Sequence, residues 1–127
     1  MSFPFDSHEG LIVTQVILTG PSGSVRANLA LDTGAIMTVL ARRFFQALGY
    51  DLSARSNMVQ VTTGSGVEFV PEITLSRIEA LGHERSDFPA LCHTLPSSAT
   101  VDGVLGLDFL RDKRLVLDFR TGILTLD

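Results

Sequence analysis

Apolar residues occupy every second position of residues 25–31, with Arg26 and Asn28 between them. A period of two places one set of side chains on a buried face and predicts a half-buried β-strand. Residues 11–18 form an earlier run that is rich in β-branched and aliphatic residues, and a Gly-Pro-Ser-Gly turn at 20–23 joins the two runs. The sequence therefore predicts a β-hairpin that ends at position 31.

Similar apolar runs recur along the rest of the chain, separated by turn-forming residues. They predict strands over residues 58–61, 67–70, 71–81, 88–92, 115–119 and 123–126. Helical spacing is confined to residues 40–48, with Thr38 as the candidate N-cap and Gly49 as the terminating residue, and to residues 107–111. Together these elements predict a mostly β fold, a closed β-barrel or sandwich with one or two short helices.

Length and composition describe one globular domain. The chain has 127 residues, of which 45% are hydrophobic and 19% are charged, enough to build a core. We predict a single domain over residues 1–127, in which residues 1–10 form an N-terminal arm or an edge strand. The net charge of −4 provides no basic surface, so no nucleic-acid partner is expected.

The sequence gives little sign of export or membrane insertion. Residues 1–10 lack a basic segment followed by an apolar run, and no apolar stretch approaches the ~18 residues needed to span a bilayer. The single cysteine, Cys92, cannot form an internal disulfide, which fits a reducing compartment. We therefore expect no membrane contact from these residues, and a cytoplasmic location or a soluble domain.

The candidate chemistry follows directly after the predicted hairpin, at Asp32-Thr33-Gly34-Ala35. The strand holds Asp32 on a rigid support at the edge of the core. Gly34 allows a sharp turn that brings backbone amides close to the carboxylate. The Thr33 hydroxyl can both donate and accept a hydrogen bond.

A second motif, Val104-Leu105-Gly106, lies far downstream. With residues 35–40 after the first motif, the joint pattern resembles the aspartic peptidases, in particular their half-sized, retroviral-type branch, the retropepsins. Residues 102–110 look more like the cellular and bacterial relatives of that branch. The resemblance implies an acid-protease barrel with one lobe per chain, an aspartic endopeptidase acting on polypeptides, and no cofactor or metal.

One Asp-Thr-Gly in the chain implies a homodimer, because this chemistry uses two carboxylates that share a proton. The ionised carboxylate takes a proton from water, and the protonated one binds the scissile carbonyl and then protonates the leaving nitrogen. The resemblance implies that each subunit contributes Asp32, that Thr33 reaches into the partner's turn, and that Gly34 offers its N–H to the carboxylates. Ala35 lacks the hydroxyl by which a serine would stabilise the ionised pair, so we expect an optimum at mildly acidic pH.

A short polar segment between two predicted strands forms a hairpin tip. It consists of Thr62, Thr63, Gly64, Ser65 and Gly66. A phosphate-binding loop would need Gly-Lys-Ser/Thr before a helix, and the chain's only lysine is Lys113. In the resembled family a hairpin at this position is the flap that closes over bound peptide. The flap, Val104 and Leu105 predict apolar pockets for the side chains at the cleaved bond.

Two rival functions remain compatible with these residues. A dimer of the same fold could bind peptides without cutting them. A phosphotransfer or nucleotide-binding domain could use Asp32, but it would need an acidic cluster for Mg²⁺ or a phosphate loop, and neither is visible. Cys92 and His93 are neighbours on a predicted strand and point to opposite faces, so they form no catalytic dyad. Asp108 is interpreted as a local structural residue.

Overall fold

The computed structural model describes residues 1–53, 57–96 and 98–127. Within them the chain forms ten strands and two short helices. The strands are β1 (Ser2–Pro4), β2 (Val13–Gly20), β3 (Gly23–Leu31), β4 (Val39–Ala41), β5 (Met58–Thr63), β6 (Gly66–Ala80), β7 (His83–His93), β8 (Gly103–Leu105), β9 (Leu115–Asp118) and β10 (Ile123–Leu126). The helices are α1 (Arg42–Ala47) and α2 (Leu107–Leu110).

Six strands close into a barrel, in the order β2-β3-β8-β4-β7-β6, and β6 returns to pair with β2. β8 pairs parallel with β3 and antiparallel with β4, so a late segment of the chain is inserted between two early strands. Closure gives each of the six strands a paired neighbour on both sides. The prediction of a mostly β, closed barrel with two short helices is confirmed.

β6 is 15 residues long and belongs to two parts of the molecule. Residues 66–71 pair with β5, and residues 72–80 pair with β7. Pro71 lies at the junction, where a strand tolerates a residue without an N–H. The β5–β6 hairpin therefore projects from the barrel on a strand that is also part of it.

The two ends of the described chain meet in a separate three-stranded sheet, ordered β1-β10-β9. β9 and β10 form the predicted C-terminal hairpin. β1 pairs antiparallel with β10, so residues 2–4 form an edge strand, one of the two alternatives for the N-terminal segment.

The core fills the barrel and the space beneath α1 and α2. Its fully buried side chains include Val16, Leu18, Leu29, Leu40, Phe45, Leu48, Leu75, Ile78, Leu105 and Phe109. Phe109 packs edge-on against Phe88, with ring centroids 6.2 Å apart, and so fixes α2 to β7. Neither helix in the described residues is long and apolar enough to cross a membrane.

The predicted start of the first helix is wrong. Leu40 lies in β4, where it pairs with both β7 and β8, and α1 begins at Arg42. Ala41 occupies the N-cap position without a side-chain hydrogen bond, so Thr38 is not the cap. Pairing within the barrel outweighs the local helical spacing of the apolar residues.

Two strand predictions also need correction. The strands predicted over residues 67–70 and 71–81 are one continuous strand, β6. The three-residue strand β8 was not predicted at all, because it is too short to show a period.

Candidate active site

Asp32 stands immediately after β3, beside the second sequence motif. Leu31 is paired with Leu105 in the parallel ladder between β3 and β8. The Asp32 N–H continues this ladder by donating to the carbonyl of Leu105 at 3.0 Å. The two motifs, which lie more than 70 residues apart in the sequence, are therefore hydrogen-bonded neighbours.

The turn after Asp32 holds the carboxylate through its own backbone. The Gly34 N–H donates to Asp32 Oδ1 at 2.8 Å, and the Ala35 N–H donates to the Asp32 carbonyl at 3.2 Å. Asp32 is half-buried, whereas Thr33 and Gly34 are exposed. The turn thus presents one oriented carboxylate with an open face in front of it.

Glycine at position 106 allows the second motif to cross directly behind this turn. A Cβ there would lie 2.7 Å from the Ala35 carbonyl oxygen and 2.8 Å from the backbone of Met37. The following residues bind the same loop, because the Leu107 N–H donates to the Ala35 carbonyl at 2.8 Å. Only a residue without a side chain fits this crossing.

Thr38 and Asp108 form a second, side-chain connection between the two motifs. The Thr38 N–H donates to Asp108 Oδ2 at 2.9 Å, and the Thr38 hydroxyl donates to Asp108 Oδ1 at 2.8 Å. The same hydroxyl accepts the Gly106 N–H at 3.1 Å. Thr38 is completely buried and is the one buried polar side chain among the described residues. Burial raises the pKa of the Asp108 carboxyl, and its hydrogen bonds from Thr38 and Phe109 oppose that rise.

The β5–β6 hairpin lies opposite the Asp32 turn, across a cavity of about 610 Å³. The turn contributes residues 34–37 to its wall, and the hairpin contributes residues 59–62 and Val70. Val59 and Val70 are a cross-strand pair, so they share the face of the hairpin that looks into the cavity. The wall of the cavity is therefore mainly apolar.

The structure places the predicted tip residues at the end of this hairpin. Thr63 and Gly66 form the last pair, and Gly64 and Ser65 make the turn between them. Gly66 has φ +131°, a conformation that favours glycine. Thr62 lies on the cavity wall. The hairpin itself is confirmed, and its action as a flap stays a prediction.

An ion pair joins the hairpin to the barrel at the edge of the cavity. His93 Nε2, at the end of β7, lies 2.9 Å from Glu68 Oε2 on β6. The hydrogen bond that His93 donates to the Glu68 carboxylate raises the pKa of His93 above its usual value, and partial burial opposes that shift. No local pattern indicates this contact, because Glu68 and His93 are 25 residues apart and on different strands.

The two predicted pocket residues of the second motif occupy different environments. Val104 is half-buried, and its role at the cleaved bond stays a prediction. Leu105 is completely buried in the barrel core, and its carbonyl receives the Asp32 N–H. The position of Leu105 therefore suits support of Asp32 and not contact with a substrate.

No group of three or more His, Cys, Asp or Glu side chains in the described residues could hold a metal ion. Cys92 is buried, and burial raises the pKa of its thiol, which makes it a poor nucleophile. Asp32 is not among the residues that line the cavity; it lies two positions before the segment 34–37, which does line it.

Comparison with known proteins agrees with this geometry. The family described as "gag-polyprotein putative aspartyl protease" matches residues 22–112, which is more than half of the chain. The chain belongs to this family of retropepsin-like aspartic proteases.

A solved structure shows the same fold over almost the whole chain. It is the crystal structure of a retropepsin-like aspartic protease from Rickettsia conorii, with a TM-score of 0.75 over 99% of this chain and 88% of that one. Sequence identity is 20%, so the likeness concerns the fold. None of the curated proteins compared with the chain matches it.

Proposed function

We propose that the chain is an aspartic endopeptidase that acts as a homodimer, with one Asp32 from each subunit bound to a shared water. The presentation of Asp32 carries the proposal. Its carboxylate is fixed by the ladder to Leu105 and by the Gly34 N–H, and the residues that follow it in the same loop, 34–37, line an apolar cavity. The family and the fold are those of aspartic proteases and support peptide hydrolysis as the activity.

The second carboxylate comes from a second copy of the chain. The sequence contains one Asp-Thr-Gly, and the exposed Thr33 and Gly34 leave the face of the turn open to a partner. A two-fold axis beside the turn would bring identical residues together. The Thr33 hydroxyl would then bond to the partner's turn and hold the two Asp32 side chains at a common water.

Two carboxylates at that distance share one proton, because two like charges so close cannot both be ionised. The ionised Asp32 takes a proton from the water as the water oxygen attacks the scissile carbonyl carbon. The protonated Asp32 donates a hydrogen bond to the carbonyl oxygen and then supplies the proton that the leaving nitrogen takes as the C–N bond breaks. No covalent enzyme intermediate forms.

The substrate is an extended polypeptide segment that lies between the Asp32 turn and the β5–β6 hairpin. The hairpin acts as the flap, with its tip at residues 62–66, and its backbone adds strand-like hydrogen bonds to the peptide. The valines on the inner face of the hairpin favour apolar side chains next to the cleaved bond. Val104 contributes to the same preference.

The central test compares Asp32→Asn with Asp118→Asn in a peptide-library cleavage assay. Both carboxylates accept a backbone N–H from two residues further on, at 2.8 and 2.9 Å, but Asp118 is the exposed last residue of β9, in the separate three-stranded sheet. Asp32→Asn should lower cleavage by about a thousandfold or more, because it removes the proton transfers. Asp118→Asn should leave cleavage unchanged. Equal activity of the two variants would contradict the proposal.

Mixing the wild-type chain with Asp32→Asn tests the shared site. If each active site needs one Asp32 from each subunit, only pairs of two wild-type chains are active. Once subunits exchange, an equal mixture should therefore have about a quarter of the activity of the wild-type chain at the same total concentration. A monomeric enzyme would retain about half. Sedimentation of both chains at several concentrations shows whether the variant still forms the dimer.

A further inference from the structure

We infer that Asp108 is a positioning residue for the proposed reaction: its carboxylate fixes the loop that carries Asp32. This inference rests on the proposed function and names a residue outside the Asp-Thr-Gly motif on which the reaction depends. It is carried by the hydrogen bonds that converge on one side chain from two segments of the chain.

The Asp108 carboxylate receives three donors. The Thr38 N–H lies 2.9 Å from Oδ2, the Thr38 hydroxyl lies 2.8 Å from Oδ1, and the N–H of Phe109 lies 2.9 Å from Oδ1. The Thr38 hydroxyl also accepts the N–H of Gly106, so the hydrogen-bond network extends from Asp108 through Thr38 to the second motif. Each donor meets an acceptor, and the Thr38 hydroxyl uses both its donor and its acceptor capacity.

Main-chain hydrogen bonds connect the same two segments, the loop after Asp32 and the residues that follow the second motif. The Asp108 N–H donates to the carbonyl of Ile36 at 3.2 Å, and the Leu107 N–H donates to the carbonyl of Ala35. The loop between Asp32 and Thr38 is thus tied to the second motif at positions 35, 36 and 38. The loop is fixed at its far end by Asp108 and at its near end by the ladder from Asp32 to Leu105.

Asparagine cannot replace this carboxylate without loss. Both oxygens of Asp108 face N–H or O–H donors, so an amide nitrogen at either position would point a donor at a donor. An unsatisfied donor in a buried network costs more than an average hydrogen bond. Thr38 is inaccessible to solvent, so its N–H and hydroxyl depend on Asp108 as their acceptor.

Protonation of Asp108 would have a similar effect. The groups that bind its carboxylate are neutral donors from Thr38 and Phe109. β7, which packs against α2 through Phe88, carries the titratable residues His83, Glu84, Arg85, Asp87 and His93, and Asp32 lies on the neighbouring loop. Arg85 donates to the carbonyl of Phe109, and none of these side chains forms an ion pair with Asp108 among the described residues. Because burial raises the pKa of Asp108, acid conditions remove the acceptor at a higher pH than for an exposed aspartate.

The test measures kcat, KM and the acid side of the pH profile for Asp108→Asn, with Asp102→Asn as the matched control. Asp102 lies six residues earlier on the same segment and also accepts a backbone N–H, that of Asn28, at 2.8 Å, while its other oxygen pairs with Arg43. Asp108→Asn should lower kcat by about tenfold while KM changes by less than about twofold, because the loop orients the reacting groups more than it binds peptide. As pH is lowered, the kcat of Asp108→Asn should fall less steeply than the kcat of the wild type, because the variant has no Asp108 carboxylate to protonate. Asp102→Asn should keep both parameters and the profile.

Thr38 provides a second pair of variants that does not depend on the folding of Asp108→Asn. Thr38→Val removes the hydroxyl at almost constant volume and should lower kcat by about tenfold, whereas Thr38→Ser keeps the hydroxyl and should retain kcat within about twofold. The double variant Asp108→Asn with Thr38→Val should lower kcat by about as much as the more damaging single variant and no further, because both changes break the same network.

Hydrogen exchange of the Gly34 amide gives a readout that needs no activity. Asp108→Asn should speed this exchange by about tenfold relative to Asp102→Asn, since the Asp32 turn loosens. If Asp108→Asn and Thr38→Val retain kcat while Asp32→Asn is inactive, the positioning role is overturned and the proposed function stands. If the wild type cleaves no peptide, the proposed function fails. If, in addition, the Gly34 amide of Asp108→Asn exchanges at the same rate as in Asp102→Asn, the positioning role of Asp108 is overturned as well.

Discussion

The Asp32 turn and the β5–β6 hairpin form opposite walls of one cavity, and they are built in opposite ways. The turn is held by a crossing of β3, β8 and β4, with backbone in direct contact at Gly103 and Gly106. The hairpin is a two-stranded ribbon, and its outer face leaves Val67 56% and Phe69 64% exposed. One wall is fixed from several directions, while the other is joined to the barrel through β6 and through the contact between Glu68 and His93.

This contrast assigns different tasks to the two walls. Chemistry between two carboxylates requires groups held within a fraction of an ångström, which suits the turn. A polymer can enter and leave the site only if part of it opens at a small cost in free energy. A two-stranded ribbon with few buried contacts can open in this way. The predictions below test whether the two walls differ in stability as their construction indicates.

The largest difference is expected between two glycines, one in each wall. A Cβ at Gly103 would lie 2.0 Å from the carbonyl oxygen of Val39, whereas a Cβ at Gly64 would meet nothing within 4 Å. Gly103→Ala should therefore lower the free energy of unfolding by more than about 3 kcal/mol, because backbone on both sides must shift.

Gly64→Ala is the matched control and should change the free energy of unfolding by less than about 0.5 kcal/mol. Denaturant unfolding of both variants at one pH measures the difference. Similar midpoints for the two proteins would mean that the crossing at Gly103 is not as tight as described.

Leu105 and Val67 give the next comparison. Leu105→Ala should cost about 2–5 kcal/mol of stability, since Leu105 is fully buried in the core. Val67→Ala, on the exposed face of the hairpin, should cost less than about 0.5 kcal/mol.

The same Leu105 variant tests the sequence-based expectation that this side chain contacts substrate. A core role predicts a large loss of stability with little change in KM for the fraction that remains folded. A substrate contact predicts the reverse. Urea unfolding and steady-state kinetics on one preparation distinguish the two outcomes.

The smallest effect is expected at the ion pair between His93 and Glu68. The pKa of His93 is raised in the folded protein, so its stabilising contribution is fully present below the unfolded value of about 6.5 and is lost as pH rises through the folded value. Both side chains are partly exposed, which limits the contribution to less than about 1 kcal/mol. Amide exchange in the β5–β6 hairpin should therefore speed up as pH rises through that range, after correction for the intrinsic rate.

Glu68→Gln should remove this pH dependence of the hairpin. Glu72→Gln is the matched control, because Glu72 lies on the same strand and binds the neutral side chain of Asn57 at 3.2 Å. A pH dependence that persists in Glu68→Gln would show that another group controls the hairpin.

The barrel was predictable from sequence where the signal was local. The alternation in residues 25–31 and the Asp-Thr-Gly turn gave the strand, its end and the place of Asp32. The short strand β8 gave no such signal, because it is defined by its neighbours on both sides and not by a period of its own. β6 was divided at Pro71 because a proline normally ends a central strand, but here the strand changes partner at that residue.

The candidate site was predictable as far as its motifs and no further. Thr38 was interpreted as a helix cap because its neighbours favour that local role. Its actual partner, Asp108, is 70 residues away, and only the crossing of the two motifs brings them together. The contact of Glu68 with His93 was hidden for the same reason, since side-chain pairs between distant strands leave no mark on the local pattern.

The continuity of β6 has a mechanical consequence. A strand of 15 residues extends about 50 Å if fully straight, and one half of it is clamped between β7 and β2. The projecting half continues directly into this paired half at Pro71. A pull that a bound polymer exerts on the ribbon is therefore transmitted along β6 into the barrel wall.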